Sequence, residues 1–305
     1  MRKMALTLLV AAMGIGFISC SEEFFTNTFK AAGLGQYDAA AANLSTSADI
    51  TAGASSSPTF YQQLTTAQIS TAIDTLFQGV PNYSAGTQPT VADLSQALQD
   101  GTVTAADLAL AATIQIKTTE AAAVIDNLPN AFAVLTAPAD PNAPPQTDEE
   151  KTAAMTTALV SAIIPANALP DMAMLDPQSE PNDAFVKIMD SFANAAASFQ
   201  AISDNLQTGE SLPTLPVTGG SSADTASYAL ISLAVASIEP AAGWVNPNPS
   251  VDTKTAVLWA AINGDTTAIG GSNMVDSTGG LSPTISNLMS SVSPDLQSMM
   301  SSGNR

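Results

Sequence analysis

The chain has 305 residues, of which 27 are acidic and eight are Lys or Arg, so its net charge is −19 at neutral pH. This negative balance excludes nucleic acid as a partner, because binding a phosphate backbone requires a basic face. The absence of histidine and the single cysteine exclude Ser-His-Asp and Cys-His catalysis, the usual zinc, haem and iron–sulfur ligand sets, and an intrachain disulfide. We therefore expect no cofactor and no metal.

Residues 1–19 differ in composition from the rest of the chain. Arg2 and Lys3 are positively charged, and residues 4–18 are apolar apart from Thr7 and two glycines. A charged start followed by a short apolar segment is typical of an export signal. The apolar part is shorter than the ~20 residues that a transmembrane helix needs. We predict a signal peptide over 1–19, with an uncleaved signal anchor as the alternative.

This segment ends in Phe17-Ile18-Ser19-Cys20. The four residues resemble the bacterial lipobox, in which a small residue precedes a lipidated cysteine, although Phe17 stands where that family usually has Leu. The resemblance implies cleavage before Cys20, a diacylglyceryl thioether on its sulfur, and acylation of the new N-terminus by a fatty acid such as palmitate. Ser21 after the cysteine resembles an outer-membrane address. Cleavage after Gly16, which yields a soluble secreted protein, is the alternative.

The charge of the remaining chain bears on how it is held at a membrane. Six basic residues follow Cys20, since Arg2 and Lys3 belong to the signal segment, and they stand against 27 acidic ones, a net charge of −21. An anionic lipid surface repels such a body. Covalent lipid is therefore predicted to provide the attachment, because each buried methylene contributes ~0.8 kcal/mol and several chains bind firmly.

Residues 30–44 contain a Leu-Gly-x-Tyr-x-x-Ala pattern, with Leu34, Gly35, Tyr37 and Ala40 in its defined positions. Gly ends one helix, while Tyr covers the junction and Ala admits the neighbouring helix. The segment resembles the helix–turn–helix junction of a tetratricopeptide repeat, which implies stacked helical hairpins. Tyr37 is a candidate binding residue at this junction. Looser echoes lie at 99–105 and 263–268, without a 34-residue period.

Apolar residues recur at three- and four-residue spacing along much of the chain, which predicts amphipathic helices. Asn182 and Asp252 are placed to cap two of them, and Thr147 with Glu150 forms a capping box before a third. The segment 226–238 is apolar around its circumference and is predicted to be a central, fully buried helix. The predicted helices cover 59–77, 105–128, 147–164, 183–207, 226–238 and 254–262, and a last pair begins at 282.

Segments rich in Pro, Gly, Ser and Asn separate these helices, and no segment shows the alternation expected of a strand. We predict an all-α fold of roughly ten helices, built of stacked helical hairpins and resembling a tetratricopeptide-like superhelix. Residues 20–305 are predicted to form a single all-helical envelope domain, and 137–146 is the candidate break between subdomains. The other predicted loops are 169–181, 211–222 and 243–249.

Two tryptophans are candidates for a binding site. Trp244, in a Gly-Trp-Val-Asn-Pro loop, is the candidate for stacking on a ligand, whereas Trp259 is expected in the core. The 11 methionines, Met174 among them, are flexible enough to line an adaptable groove, but we interpret them as core residues.

Carboxylates and lysines are the remaining ionisable groups. The acids in and just after loop 169–181 are interpreted as solvated, because their spacing fits no EF-hand, and calcium binding is the alternative. The lysines lie on predicted helices outside any Ser-x-x-Lys pattern and are interpreted as surface residues. The acids are Asp171, Asp176, Glu180 and Asp183, and the lysines are Lys117, Lys151, Lys187 and Lys254.

Three functional hypotheses follow. The preferred one is a lipid-anchored, non-enzymatic helical scaffold that binds a protein or peptide in the bacterial envelope, at the outer membrane. The second is a lipoprotein that holds a small or apolar ligand, such as a lipid or a transporter substrate, in a cavity between helices. The third is an enzyme with paired carboxylates. The oligomeric state is open.

Overall fold

The computed structural model describes residues 43–57, 59–127, 164–171, 173–206, 212–215, 222–265 and 267–272. Within these ranges the chain forms nine α-helices, one 3₁₀ turn and two short strands, which confirms the predicted all-α class. The elements are α1 Ser47–Ser56, α2 Phe60–Gln63, α3 Thr66–Phe77, α4 Val91–Asp100, α5 Ala105–Lys117, α6 Ala121–Asp126, the 3₁₀ turn Ala166–Ala168, α7 Asp183–Asn205, α8 Ser222–Ala236, β1 Ile238–Pro240, α9 Thr253–Ile262 and β2 Ile269–Ser272.

Threonine caps the start of four helices, α1, α3, α4 and α5. Thr46, Thr65, Thr90 and Thr104 each accept a hydrogen bond from the backbone N–H three residues later. Each bond satisfies an N–H group that the first turn of a helix leaves open. At Thr65 and Thr104 the third residue also accepts from the N–H of the cap, which completes a capping box. These local bonds define where the helices begin.

The long helix α7 lies at the centre of the fold, because α4, α5 and α8 all pack against it. Asn182 caps it as predicted, accepting from the N–H of Phe185 at 2.9 Å. The helix ends at Asn205, two residues before the predicted end. Its buried face combines large apolar side chains with small residues at which neighbouring helices can approach closely. The large ones are Phe185, Ile188, Met189, Phe192, Phe199 and Ile202, and the small ones are Ser191, Ala195, Ala196, Ser198, Ala201 and Ser203.

Helix α8 is the buried helix predicted over 226–238. Every residue from 228 to 235 is buried, although the helix ends at Ala236 and Ile238 enters a strand. None of the helices in the described ranges combines the length and the apolar character needed to cross a membrane.

Two predicted helices are interrupted. The segment 105–128 breaks between Lys117 and Ala121, where the hydroxyl of Thr118 bonds to the Ile114 carbonyl at 2.6 Å and that of Thr119 to the Ile116 carbonyl at 3.0 Å. Threonine hydroxyls compete with the backbone in this way and weaken a helix. The segment 59–77 breaks at Leu64, which is extended (φ −66, ψ 128), before the capping box at Thr65. Predicting one continuous helix in each segment was wrong.

The strands were not predicted from the sequence. Ile238 pairs with Ser272, and Pro240 pairs with Ile269, so the two strands form an antiparallel ribbon. In the chain, β1 precedes α9 and β2 follows it. Gly270 permits this pairing, because a Cβ atom there would lie 2.5 Å from the Ala241 Cα. Side-chain alternation could not reveal strands this short.

The two looser echoes of the helix–turn–helix junction have different outcomes. At 99–105, Gly101 adopts a left-handed conformation (φ 69) between α4 and α5, so a helix does end and another begin there. At 263–268, Gly264 (φ 101) ends α9 and the chain continues into β2 rather than into a helix. The resemblance at 30–44 falls almost entirely outside the described residues, and the tetratricopeptide-like superhelix stays a prediction.

Candidate binding surface around Trp244

Two loops are held against α9 by side-chain hydrogen bonds. The indole N–H of Trp259 donates to the Ser179 hydroxyl at 2.9 Å, and the N–H of Asp176 donates to the Asn263 side-chain oxygen at 3.2 Å. The amide of Asn248 donates to the Ser179 carbonyl at 2.9 Å. Loops 169–181 and 243–249, predicted separately, therefore form one braced platform on this helix.

Trp244 lies in this platform, half-buried and packed against the core. Its backbone N–H closes a turn onto the Ala241 carbonyl at 2.9 Å, next to Gly243 with φ 82. Its indole N–H donates to Asp265 at 3.2 Å. The ring is thus fixed in place, because its only polar atom is already bonded within the chain.

Asp265 is held as a charged carboxylate at this position. The hydroxyl of Thr267 donates to it at 2.6 Å, and this bond, with smaller contributions from backbone N–H groups and from Trp244, keeps the pKa of the Asp265 carboxyl below its ordinary value. Hydrogen bonds to the charged form stabilise it more than they stabilise the neutral acid. A negative charge therefore lies beside the Trp244 ring.

Three large apolar side chains are exposed on the same platform. Met174, Leu175 and Val245 are 74%, 42% and 80% exposed. Leu175 directly precedes Asp176, whose N–H is bonded to Asn263. Val245 directly follows Trp244, whose indole N–H is bonded to Asp265. Positions 263 and 265 are two residues apart, a span of at most ~7 Å. We call Met174, Leu175, Trp244 and Val245 together the Trp244 surface, at the C-terminal end of α9.

Carboxylates border the Trp244 surface. Asp171 and Asp176 are exposed, and each uses one oxygen to accept a backbone N–H of its own loop, from Ala173 at 3.0 Å and from Gln178 at 2.9 Å. This is the usual role of Asp in turns. Over the described ranges, no three side chains of the metal-binding types gather into a group that could hold an ion.

The described lysines lie on helices and outside these two loops. Lys254 donates to the Ala236 carbonyl near the start of α9, and Lys187 is exposed on α7. Lys117 is half-buried, with its Nζ 6.0 Å from the Tyr61 ring centre and 5.6 Å from that of Tyr228. Interpreting Lys117 as a surface residue was therefore wrong, because its cationic end lies between aromatic rings from α2 and α8.

The residues singled out in the sequence have different outcomes. Trp244 lies on the exposed platform, and Trp259 is in the core as predicted, 4% exposed with its ring 5.0 Å from that of Phe185. Cys20 and Tyr37 lie outside the described residues. Met174 was expected in the core and is instead exposed, and neither Leu175 nor Val245 was singled out. A signal was present in the sequence, since all three are large apolar residues within Pro-rich loops.

Chemically, the platform offers apolar contact, one amphipathic ring and negative charge. Exposed apolar side chains beside charged residues are typical of a surface that contacts another macromolecule. In comparisons with known proteins, no family model matches the chain, and no curated protein or solved structure is significantly similar to it.

Proposed function

We propose that this chain is a lipid-anchored lipoprotein of the bacterial envelope, held at the outer membrane by Cys20, and that it acts as a non-enzymatic helical scaffold for binding a protein or peptide. The observation that carries the binding part is the Trp244 surface. Its apolar side chains project from loops that are hydrogen-bonded to a buried helix, so they are exposed without being loose.

The anchor is supported by the N-terminal residues and by charge. Residues 17–20 carry the lipobox resemblance, and the net charge of −21 after Cys20 disfavours direct adsorption to anionic lipid. A covalent lipid provides membrane attachment that a body of this charge does not.

The binding role is supported by the composition of the exposed surface. Methionine and tryptophan are enriched in protein interfaces, and exposed large apolar side chains bordered by polar residues are typical of an interaction site. The brace from Ser179 and Asn263 fixes the loop backbones before binding, which lowers the ordering cost of association. The junction at Gly101 is compatible with tetratricopeptide-like helical packing, the finer part of this proposal.

The anchor is tested by Cys20→Ala in the full-length precursor. We expect the variant to remain uncut by the lipoprotein peptidase and to lose fatty-acid labelling, because the acceptor sulfur is gone. Cys20→Ser is a second variant without the sulfur; it keeps a small polar side chain and should lose the label in the same way. Retention of label together with unchanged membrane fractionation would refute the lipobox interpretation.

The scaffold role is tested by native mass spectrometry of the protein extracted from its own membranes with lipid attached. We expect a mass that corresponds to the chain bound to a co-purifying protein or peptide, with no small-molecule adduct. A discrete small adduct and no protein partner would instead support the alternative, a carrier that holds a lipid or transporter substrate between its helices.

A further inference from the structure

From the charges around the exposed apolar residues, we infer that the Trp244 surface docks a basic, apolar segment of another protein: a stretch that presents large apolar side chains flanked by Lys or Arg. This inference rests on the proposed scaffold function and specifies its partner.

The apolar part of the argument comes from exposure. Val245 and Met174 are 80% and 74% exposed, among large hydrophobic side chains that are otherwise mostly buried in the described ranges. Side chains of this size release ordered water when a partner covers them. The half-buried Trp244 ring adds a rigid aromatic edge to the same area, and aromatic residues in that position often dominate binding energy.

The charged part comes from three carboxylates tied to the same residues. The backbone carbonyl of Asp171 accepts a hydrogen bond from the Met174 N–H at 2.9 Å. Asp176 directly follows Leu175 in the chain. The Asp265 carboxylate accepts a hydrogen bond from the Trp244 indole N–H. Within the described residues none of the three forms an ion pair. Their side chains accept from uncharged N–H and O–H groups, in their own turns and, for Asp265, also from Trp244. Their negative charge is therefore not neutralised locally, and a partner with Lys or Arg supplies the complement.

Other occupants lack the matching charge. A second copy of the chain carries the same net charge of −21 after Cys20, and residues 273–305 contain two Asp and a single basic residue, Arg305. An anionic lipid surface is repelled for the same reason. A foreign basic segment is the occupant that satisfies both the apolar and the charged parts of the surface.

The inference is tested with the full mature protein in detergent and three labelled peptides of equal length, built from Leu and Lys, Leu and Glu, and Ser and Lys. Fluorescence anisotropy at low salt should show binding of the Leu/Lys peptide, with at least about ten-fold weaker binding of the other two. Binding should weaken as salt rises, because exposed charges are screened. Equal binding of the Leu/Glu peptide overturns the inference.

Variants separate this surface from the overall acidity of the protein. The double variant Met174→Ser with Val245→Ser should weaken binding of the Leu/Lys peptide about ten-fold or more. The double variant Asp171→Asn with Asp176→Asn should weaken binding of this peptide and make that binding less dependent on salt. The matched control, Asp100→Asn with Asp204→Asn, removes the same charge from exposed positions on α4 and α7. If the control weakens binding as much as the surface variants do, the attraction is non-specific and the inference fails.

The natural occupant is identified by placing a photo-reactive amino acid at Val245 in cells. Cross-linking to a partner peptide that contains both Lys or Arg and large apolar residues supports the inference. Cross-links to lipid, to the chain's own residues or to a second copy overturn it. If native mass spectrometry shows a protein partner but Val245 does not cross-link to it, the scaffold function stands and this inference fails; absence of any partner contradicts the scaffold function itself.

Discussion

The indole N–H of Trp259 donates a hydrogen bond of 2.9 Å to the hydroxyl of Ser179. Trp259 is 4% exposed and belongs to α9, while Ser179 lies in the loop that carries Met174 and Leu175. The bond thus connects the helical core to the candidate binding surface. Because the Trp259 ring also contacts Phe185 of α7, the loop is linked through it to the central helix.

Ser179→Ala should lower the free energy of unfolding by about 1–3 kcal/mol, because it leaves a buried indole N–H without an acceptor. Urea unfolding measures the change. Ser250→Ala is the matched control, since the Ser250 hydroxyl makes only an exposed contact of 3.5 Å to Glu180, and a change within about 0.5 kcal/mol is expected there. Equal effects of the two substitutions would contradict the bracing role of Ser179.

Phe192→Ala should destabilise the fold by about 3–5 kcal/mol, because it empties a large volume on the buried face of α7. Phe192 is 1% exposed, whereas Lys187 on the same helix is exposed. Lys187→Ala is therefore the control, and it should change the free energy of unfolding by less than about 0.5 kcal/mol. Thermal unfolding of both variants checks the assignment of the buried face, and a small effect of Phe192→Ala would contradict the central position of α7.

Gly79 and Gly86 should respond differently to the same two substitutions. A Cβ atom at Gly79 would lie 2.5 Å from the Thr102 carbonyl oxygen, so Ala and Asn should both destabilise by about 1–3 kcal/mol. Gly86 has open space around it but a φ of 78, where Ala is strained by about 1–2 kcal/mol and Asn is better tolerated. Denaturant unfolding of the four variants tests this, and rescue by Asn at Gly79 would rule out the overlap with Thr102.

Asp265 should contribute to the loss of stability at acid pH. Its pKa in the folded state is lowered from 3.8, first by the Thr267 hydroxyl, so its contribution is complete above the unfolded pKa and is lost as pH falls through the folded pKa. The stability difference between the parent protein and Asp265→Asn should therefore be constant near neutral pH and shrink below about pH 4. Urea unfolding at a series of pH values measures it.

Asp190→Asn should change the free energy of unfolding in the opposite direction to Asp265→Asn. Desolvation, followed by the nearby Asp252, raises the pKa of the Asp190 carboxyl, so its ionised form destabilises the fold and the penalty disappears as pH falls below the unfolded pKa. At neutral pH this variant should be more stable than the parent, with the difference fading in acid. If Asp190→Asn and Asp265→Asn change the free energy of unfolding at neutral pH in the same direction, the opposite pKa shifts given to the two carboxyl groups are wrong.

Much of the helical architecture could be predicted because its causes are local. The α7 stripe, the Asn182 cap and the Asp252 cap depend on residues three or four positions apart, and they appear in the structure where the spacing predicted them. The prediction of continuous helices failed at Thr118 and Leu64, where a short interruption inside an apolar pattern ends a helix. The capping box at Thr65 and Gln68 was a local signal that could have located the second break.

By itself, the sequence determined the class of the fold and the acidity of the body, because composition and short-range spacing carry that information. The anchor at Cys20 stays a prediction. Only the tertiary structure brought the Trp244 surface together. Asp176 meets Asn263 across 87 positions, and Trp259 meets Ser179 across 80. No local pattern encodes such pairs, since they arise where the Trp259 ring of α9 meets Phe185 of α7 and two loops share the polar groups near the end of α9.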